Sequence, residues 1–119
     1  MGSPCYLAPE IVLSLEEVNG TYGTQVDIWS LGITCIEMAL KDPPRHDMEP
    51  MAILFDIVNT DSPKLISQTI QFSPELISFV DTCLQKDPQQ RGTIKQLLNV
   101  MIFLLSFFFK KKKTKKFIH

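Results

Sequence analysis

Cysteine is scarce in this 119-residue chain and poorly placed for chemistry: Cys5, Cys35 and Cys83 are an odd number, and none belongs to a Cys-x-x-Cys pair. That spacing supports neither a disulfide framework nor a zinc site, and a reducing, cytoplasmic setting is the expectation. Histidine is scarcer still. His46 and His119 have no ligating neighbours at metal spacing and are expected to be solvated. Basic charge is missing from most of the chain. Residues 1–109 carry six Lys and Arg against thirteen Asp and Glu, a balance of −7, because the remaining six cations are Lys110, Lys111, Lys112, Lys113, Lys115 and Lys116. This acidic excess argues against nucleic-acid binding by the folded part. Long hydrophobic runs are absent too. The stretch from Val100 to Phe109 is ten residues, against roughly 20 for a membrane-spanning helix. Met1-Gly2 opens like a myristoylation signal, but Tyr6 stands where that signal needs Ser or Thr. No targeting segment is expected at this end.

What is present is enough apolar material for one soluble domain, 45% of residues hydrophobic against 21% charged. The periodicity is helical throughout. A short helical piece and a loop fit residues 8–24, with a capping-box spacing at Ser14-Leu15-Glu16-Glu17 and turn chemistry at Asn19-Gly20 and Tyr22-Gly23. From Gln25 to about Lys41 the chain reads as a helix with Ile28, Leu31, Cys35, Met38 and Ala39 on one side. Trp29, Ile33, Ile36 and Leu40 lie on the other, so this helix is expected to be buried on several sides. Asp42-Pro43-Pro44 stops it. Pro50 opens a helix to Asn59 with a stripe of Met51, Leu54, Phe55 and Val58, and residues 60–72 read as loop. Ser73-Pro74-Glu75 is a helix start with Leu76, Phe79, Val80, Cys83 and Leu84 on its buried face, and Asp87-Pro88 ends that helix. Thr93 and Gln96 have capping-box spacing for a last helix with Ile94, Leu97 and Leu98. The expectation is an all-α body of about five helices, without internal repeats.

The motifs are more specific than the architecture. Gly2-Ser3-Pro4-Cys5-Tyr6-Leu7-Ala8-Pro9-Glu10 resembles the substrate-site loop and closing Ala-Pro-Glu of a protein kinase activation segment. Asp27-Ile28-Trp29-Ser30-Leu31-Gly32 follows at the distance of the helix beneath it. With Ile36-Glu37-Met38-Ala39, Pro43-Pro44, Pro50-Met51, Cys83-Leu84-Gln85-Lys86-Asp87-Pro88 and Arg91, the pattern resembles the Sterile-twenty-like serine/threonine kinases. Within them it is nearest to the germinal-centre branch that includes the lymphocyte-oriented type. Taken singly, Asp27 is an ordinary helix cap and Ala8-Pro9-Glu10 an ordinary helix start; several motifs in order at fitting distances argue against accident.

The resemblance implies the helical part of a kinase C-terminal lobe over residues 1–99, with protein substrates and signalling partners in the parent family. Ser3 takes the hydroxyl position that favours serine/threonine over tyrosine specificity. Asp27 takes the place of an acid that starts the central helix and accepts hydrogen bonds from the catalytic loop. Glu10 matches a Glu that pairs with the Arg matched by Arg91, Ala8, Pro9, Trp29 and Gly32 complete the structural motif, and Glu37 is a substrate-side acid favouring basic peptides. Cys5 lies near the substrate loop, where an ordinary thiol is the expectation over a redox-sensitive one; Cys35 and Cys83 are expected in the core.

Phosphoryl transfer in this family uses ATP and magnesium held by a Gly-rich loop, a strand Lys paired to a helix Glu, a catalytic Asp with its Asn, and the Asp of a DFG motif. None of these motifs occurs in the 119 residues, so no catalytic, cofactor-binding or metal-binding residue is assigned and the chain alone is expected to be inactive. The central helix also lacks the catalytic loop and long helix that cover it in the family, and marginal folding is expected.

Residues 100–119 depart from the resemblance. Family members close with His-Pro-Phe, whereas Asn99 here leads into Val100-Met101-Ile102-Phe103-Leu104-Leu105-Ser106-Phe107-Phe108-Phe109 and a lysine run. The segment reads as an interfacial anchor on anionic lipid, or as translated noncoding sequence, T-rich then A-rich, following an unspliced valine codon. The second reading is favoured. Two functions stand: a fragment of a cytoplasmic serine/threonine kinase, or a noncatalytic truncated module binding a protein partner or a membrane surface.

Overall fold

A computed structural model describes residues 4–14 and 23–102. The capping sequence at Ser14–Glu17 and the turn sequences at residues 19–22 lie largely outside these, as do Gly2, Ser3, His119 and the lysine run. Among the described residues there are helices and no strand.

A 3-10 turn (Pro4–Tyr6) leads into α1 (Pro9–Leu13), where Pro9 fills the first helical position and so removes a donor that would have no partner there. The long central helix α2 (Thr24–Leu40) ends on Lys41, held at φ 79°. Pro43 and Pro44 cannot continue it. Next come α3 (Pro50–Asn59) and α4 (Pro74–Cys83). At the start of α4 the Ser73 hydroxyl accepts from the Leu76 N–H at 3.2 Å. A second 3-10 turn (Pro88–Arg91) follows, capped by Asp87, whose carboxylate accepts from Gln89 N–H at 3.0 Å. The last helix, α5, covers residues 94–102. Its start is a reciprocal capping box: Thr93 Oγ1 accepts from Gln96 N–H at 3.1 Å and Gln96 Oε1 accepts from Thr93 N–H at 3.0 Å. The helix continues past residue 99, through Val100, Met101 and Ile102.

The main core forms where α2 packs on α4. Ile28, Trp29, Ile33 and Ile36 meet Phe79, Val80 and Cys83, and Leu65, Leu84, Leu97 and Ala8 close the cluster. Each such aliphatic or aromatic side chain contributes about 1.5–3 kcal/mol when removed from water. Gly32 permits the approach. A Cβ there would lie 2.8 Å from both Cys83 Cβ and Leu84 Cδ2, closer than carbon atoms pack. A smaller cluster of Cys5, Ile53 and Ile57, joined by Tyr6, Leu7, Val12 and Met48, fastens α3 to the N-terminal turn and α1.

Two sequence expectations are corrected. Met38 is 79% exposed, although helical spacing puts it on an apolar side of α2. On α3 the buried residues are Ile53 and Ile57, while Met51 and Phe55 of the expected stripe are 77% and 70% exposed. Both stripes have helical spacing; contact with the N-terminal turn and α1 selects the isoleucines.

Candidate functional site

The site is built around Arg91, which no solvent reaches. The second 3-10 turn delivers its guanidinium between the N-terminus of α2 and the first turn of α1. Nη1 donates to Glu10 Oε2 at 2.6 Å and Nη2 to Glu10 Oε1 at 2.8 Å, a bidentate pair joining residues 81 apart in sequence. Nη1 also donates to the Gln25 carbonyl at 2.9 Å, Nε to Gln85 O at 2.7 Å and Nη2 to Lys86 O at 3.3 Å. The guanidinium carbon sits 5.0 Å from the centre of the Trp29 ring, within cation–π range. A planar fork with five donors is the side chain suited to such a junction.

Ala8 and Pro9 are both buried beneath this pair, as the N-cap and first residue of α1. Trp29 is buried to 1% exposure, and among the described residues its Nε1 has no acceptor. Gly32 lies one turn further along α2, at the contact with α4. Asp27 stands apart. It is exposed in the first turn of α2, has no hydrogen-bond partner among the described residues, and borders an apolar cleft of about 130 Å3 lined by Leu31, Leu97, Leu98 and Met101.

Of the residues expected to form the substrate loop, the structure describes Pro4, Cys5 and Tyr6. Cys5 is buried against Ile53 and Ile57. Tyr6 donates its phenol O–H to Glu37 Oε1 at 2.5 Å, and its carbonyl accepts from Ser30 Oγ at 3.3 Å. The hydrogen bond to Glu37, assisted by burial and by the charge of that carboxylate, pushes the Tyr6 hydroxyl up to about 12. Glu37 thus faces the loop and is engaged by it. Burial pushes the Cys83 thiol, in the core, up to about 12, and raises Cys35, which was expected in the core but packs half-buried against its edge. His46 is half exposed, 4.0 Å from Asp42.

Sequence motifs bring Glu10, Trp29 and Arg91 into view. They do not reveal the three carbonyls that saturate the guanidinium, since a backbone acceptor has no residue signature. Nor do they reveal that Tyr6 and Glu37, 31 residues apart, are partners. The arrangement fastens a loop. Among the described residues no three His, Cys, Asp or Glu converge as metal donors. Protein kinases use ATP and magnesium, but the residues present do not fit that group, and no step is derived through it.

A family model for the protein kinase domain matches residues 1–103. The chain is 46% identical over 105 residues to serine/threonine-protein kinase TAO1-A of Xenopus laevis, covering 88% of this chain and 10% of that protein. It is 47% identical over 98 residues to human serine/threonine-protein kinase TAO3, covering 82% and 10%. Over 98 residues it is 46% identical to rat serine/threonine-protein kinase TAO2, covering 82% and 8%. The chain therefore spans about a tenth of the length of these curated relatives. Helices joined by a buried Glu10–Arg91 fork, a family match over most of the chain and serine/threonine-kinase relatives agree: this chain belongs to the protein kinase domain family.

Proposed function

We propose that this chain is the substrate-side helical subdomain of a Sterile-twenty-like protein serine/threonine kinase. The complete parent domain transfers the γ-phosphoryl group of ATP to serine and threonine hydroxyls of protein substrates in the cytoplasm, and the 119 residues are inactive alone. The observation that carries this reading is the Arg91 junction, which couples the Ala8-Pro9-Glu10 segment to α2 and to the turn before α5. Such a tie holds a substrate loop in a fixed place and moves no phosphate itself. Similarity to the TAO kinases supports the Sterile-twenty-like grouping. The placement nearer the lymphocyte-oriented type of the germinal-centre branch rests on the Pro43-Pro44, Pro50-Met51 and Cys83–Pro88 motifs.

Individual roles follow from the same reading. Gly2 through Tyr6 form the substrate loop, with Ser3 setting hydroxyl specificity, and Glu37 orients that loop through Tyr6. Asp27 awaits donors from a catalytic loop that this chain does not contain. Residues 1–99 are the kinase part and 100–119 a separate tail; because α5 runs through residue 102, that boundary is one of ancestry. The alternative is a noncatalytic module, favoured by the apolar residues exposed on α2 and α3, that binds a protein or, through its lysine tail, an anionic membrane.

Sequencing the transcript through both ends of the coding region tests the proposal. Upstream Gly-rich, catalytic-loop and DFG motifs, with a message spliced at the Asn99 codon, are the expected result. A message that begins at Met1 and encodes the tail leaves only the noncatalytic module. Incubating the purified chain with labelled ATP, magnesium and a basic protein should give no incorporation, and any incorporation by a contaminant-free preparation overturns the inactivity.

A further inference from the structure

Three Ser-Pro pairs occur in the chain, at Ser3, Ser62 and Ser73. Ser3 lies outside the described residues, and the other two sit in opposite circumstances. The Ser73 hydroxyl is occupied as the cap of α4, and the backbone turns helical from Pro74 onward. Ser62 belongs to a stretch without regular structure, residues 61–67. Its hydroxyl makes no hydrogen bond among the described residues, and as the residue before a proline it is biased toward extended backbone. Asp61 and Lys64 on either side are exposed, and Ser62 and Pro63 are half-buried. Leu65, 2% exposed, pins the far end of the stretch to the core, and Arg45 Nη2 holds the near end through Thr60 Oγ1 at 3.2 Å.

The surroundings of Ser62 are charged on both signs. It lines an open cleft of about 390 Å3 with Asp61, Lys64, Asp81, Gln85 and Lys86. The Lys64 ammonium is 3.9 Å from Asp81, a loose and exposed pair, and Lys86 Nζ donates to Val58 O at 3.0 Å at the end of α3. Two cations therefore border the cleft, one on the loop and one beyond the end of α4, and neither is held by a close carboxylate among the described residues.

We propose that Ser62 is a phosphorylation site for a proline-directed serine/threonine kinase, and that its phosphate is clamped between Lys64 and Lys86. The Ser62 oxygen attacks the γ-phosphorus of ATP, the bond to the β-γ bridging oxygen breaks, ADP leaves and the hydroxyl proton passes to the modifying kinase. The product carries roughly −1.5 to −2 charge and three strong acceptors. Those acceptors draw Lys64 away from Asp81 and add a second partner to Lys86, tying the loop to the α4 end and, through Val58, to α3. Asp61 and Asp81 oppose the phosphate, so the clamp depends on both lysines and weakens with salt.

The test uses the whole chain with magnesium–ATP and a purified proline-directed kinase. Peptide mapping should place the phosphoryl group on Ser62; Ser62→Ala should lose it and Ser73→Ala should keep it. Phosphorylation should raise the melting temperature at low salt and slow tryptic cleavage after Lys64. The Lys86→Gln variant should accept phosphate yet lose the thermal gain, and a high-salt buffer should reduce that gain. Cleavage protection is read in the unmelted chain, so it decides the clamp even where melting is irreversible. Incorporation at Ser73 instead, or none while a peptide of residues 57–69 is readily modified, overturns the site. An equal thermal gain in Lys86→Gln, or unchanged cleavage on modification, overturns the clamp.

Discussion

Replacing Arg91 with alanine is the most demanding test of how this subdomain holds together. The substitution removes both N–H donors to Glu10 and the donors to the Gln25, Gln85 and Lys86 carbonyls, and takes away the cation over Trp29. Removing one partner of a buried pair costs about 3–5 kcal/mol. The Glu10 side chain is 24% exposed, so water recovers part of its solvation and pulls that figure toward the lower end. The cation–π contact returns about 0.5–2 kcal/mol to the loss. A total near 4–5 kcal/mol rivals the whole net stability of a small domain, about 5–15 kcal/mol. Urea unfolding followed by far-ultraviolet circular dichroism should therefore show a large fall in midpoint, or no cooperative transition at all. Arg91→Lys, which keeps the charge but loses the fork, should fall between. In the cycle with Glu10→Ala, the double variant should cost less than the two single losses combined. A loss below about 1 kcal/mol for Arg91→Ala, the worth of an exposed pair, would refute the junction as described.

Gly32→Ala should lower the melting temperature by the equivalent of about 1–3 kcal/mol, because its Cβ collides with Cys83 and Leu84; an unchanged melt would sink the close-packing account. Tyr6 has its folded hydroxyl raised to about 12 from the ordinary 10.0. Its stabilising contribution is therefore complete below pH 10 and is lost as pH rises from there toward 12. Ultraviolet titration should reveal a late-ionising tyrosine that Tyr6→Phe removes, and Tyr6 ionising near 10 would contradict it. Met51→Ser with Phe55→Ser should leave the melting temperature of the chain nearly unchanged and reduce its aggregation, since both side chains face water; a large drop in stability would place them in a contact. The isolated chain itself should aggregate once melted, so that a second heating scan shows no transition, and a reversible cooperative transition by calorimetry would show that α2 needs no further cover.

The parts of this fold that can be read from sequence are those fixed by short-range chemistry. Ser73 and the Thr93–Gln96 box announce helix starts because the bonds they make reach only three residues along the chain. Pro43, Pro44 and Pro50 mark boundaries because a missing donor acts on its own turn. The face of α3 is different in kind. Ile53 and Ile57 compete with Met51 and Phe55 on equal helical terms, and the outcome is set by Cys5 and Tyr6, far off in sequence. Met38 is misjudged for a related reason: Ala39 and Leu40 beyond it pack on the core while Met38 is exposed, and apolar character alone does not supply a neighbour. The Glu10–Arg91 pair is legible only through likeness to a family, because no periodicity links residues so distant. The cleft around Ser62 has no sequence signature beyond its Ser-Pro pair.

The fork between Glu10 and Arg91 also sets an order of events during synthesis. With five residues, α1 is far below the roughly 12–15 that a helix needs to persist alone in water. Beside its packing on α3, its polar anchor is the guanidinium made 81 residues later. At about 5–20 residues per second, the ribosome leaves α1 without that anchor for roughly 4–16 seconds. During that interval the Glu10 carboxylate has no cation to pair with, and none lies over the Trp29 ring. A nascent chain therefore completes this junction only when Arg91 emerges, after α2, α3 and α4 have been made.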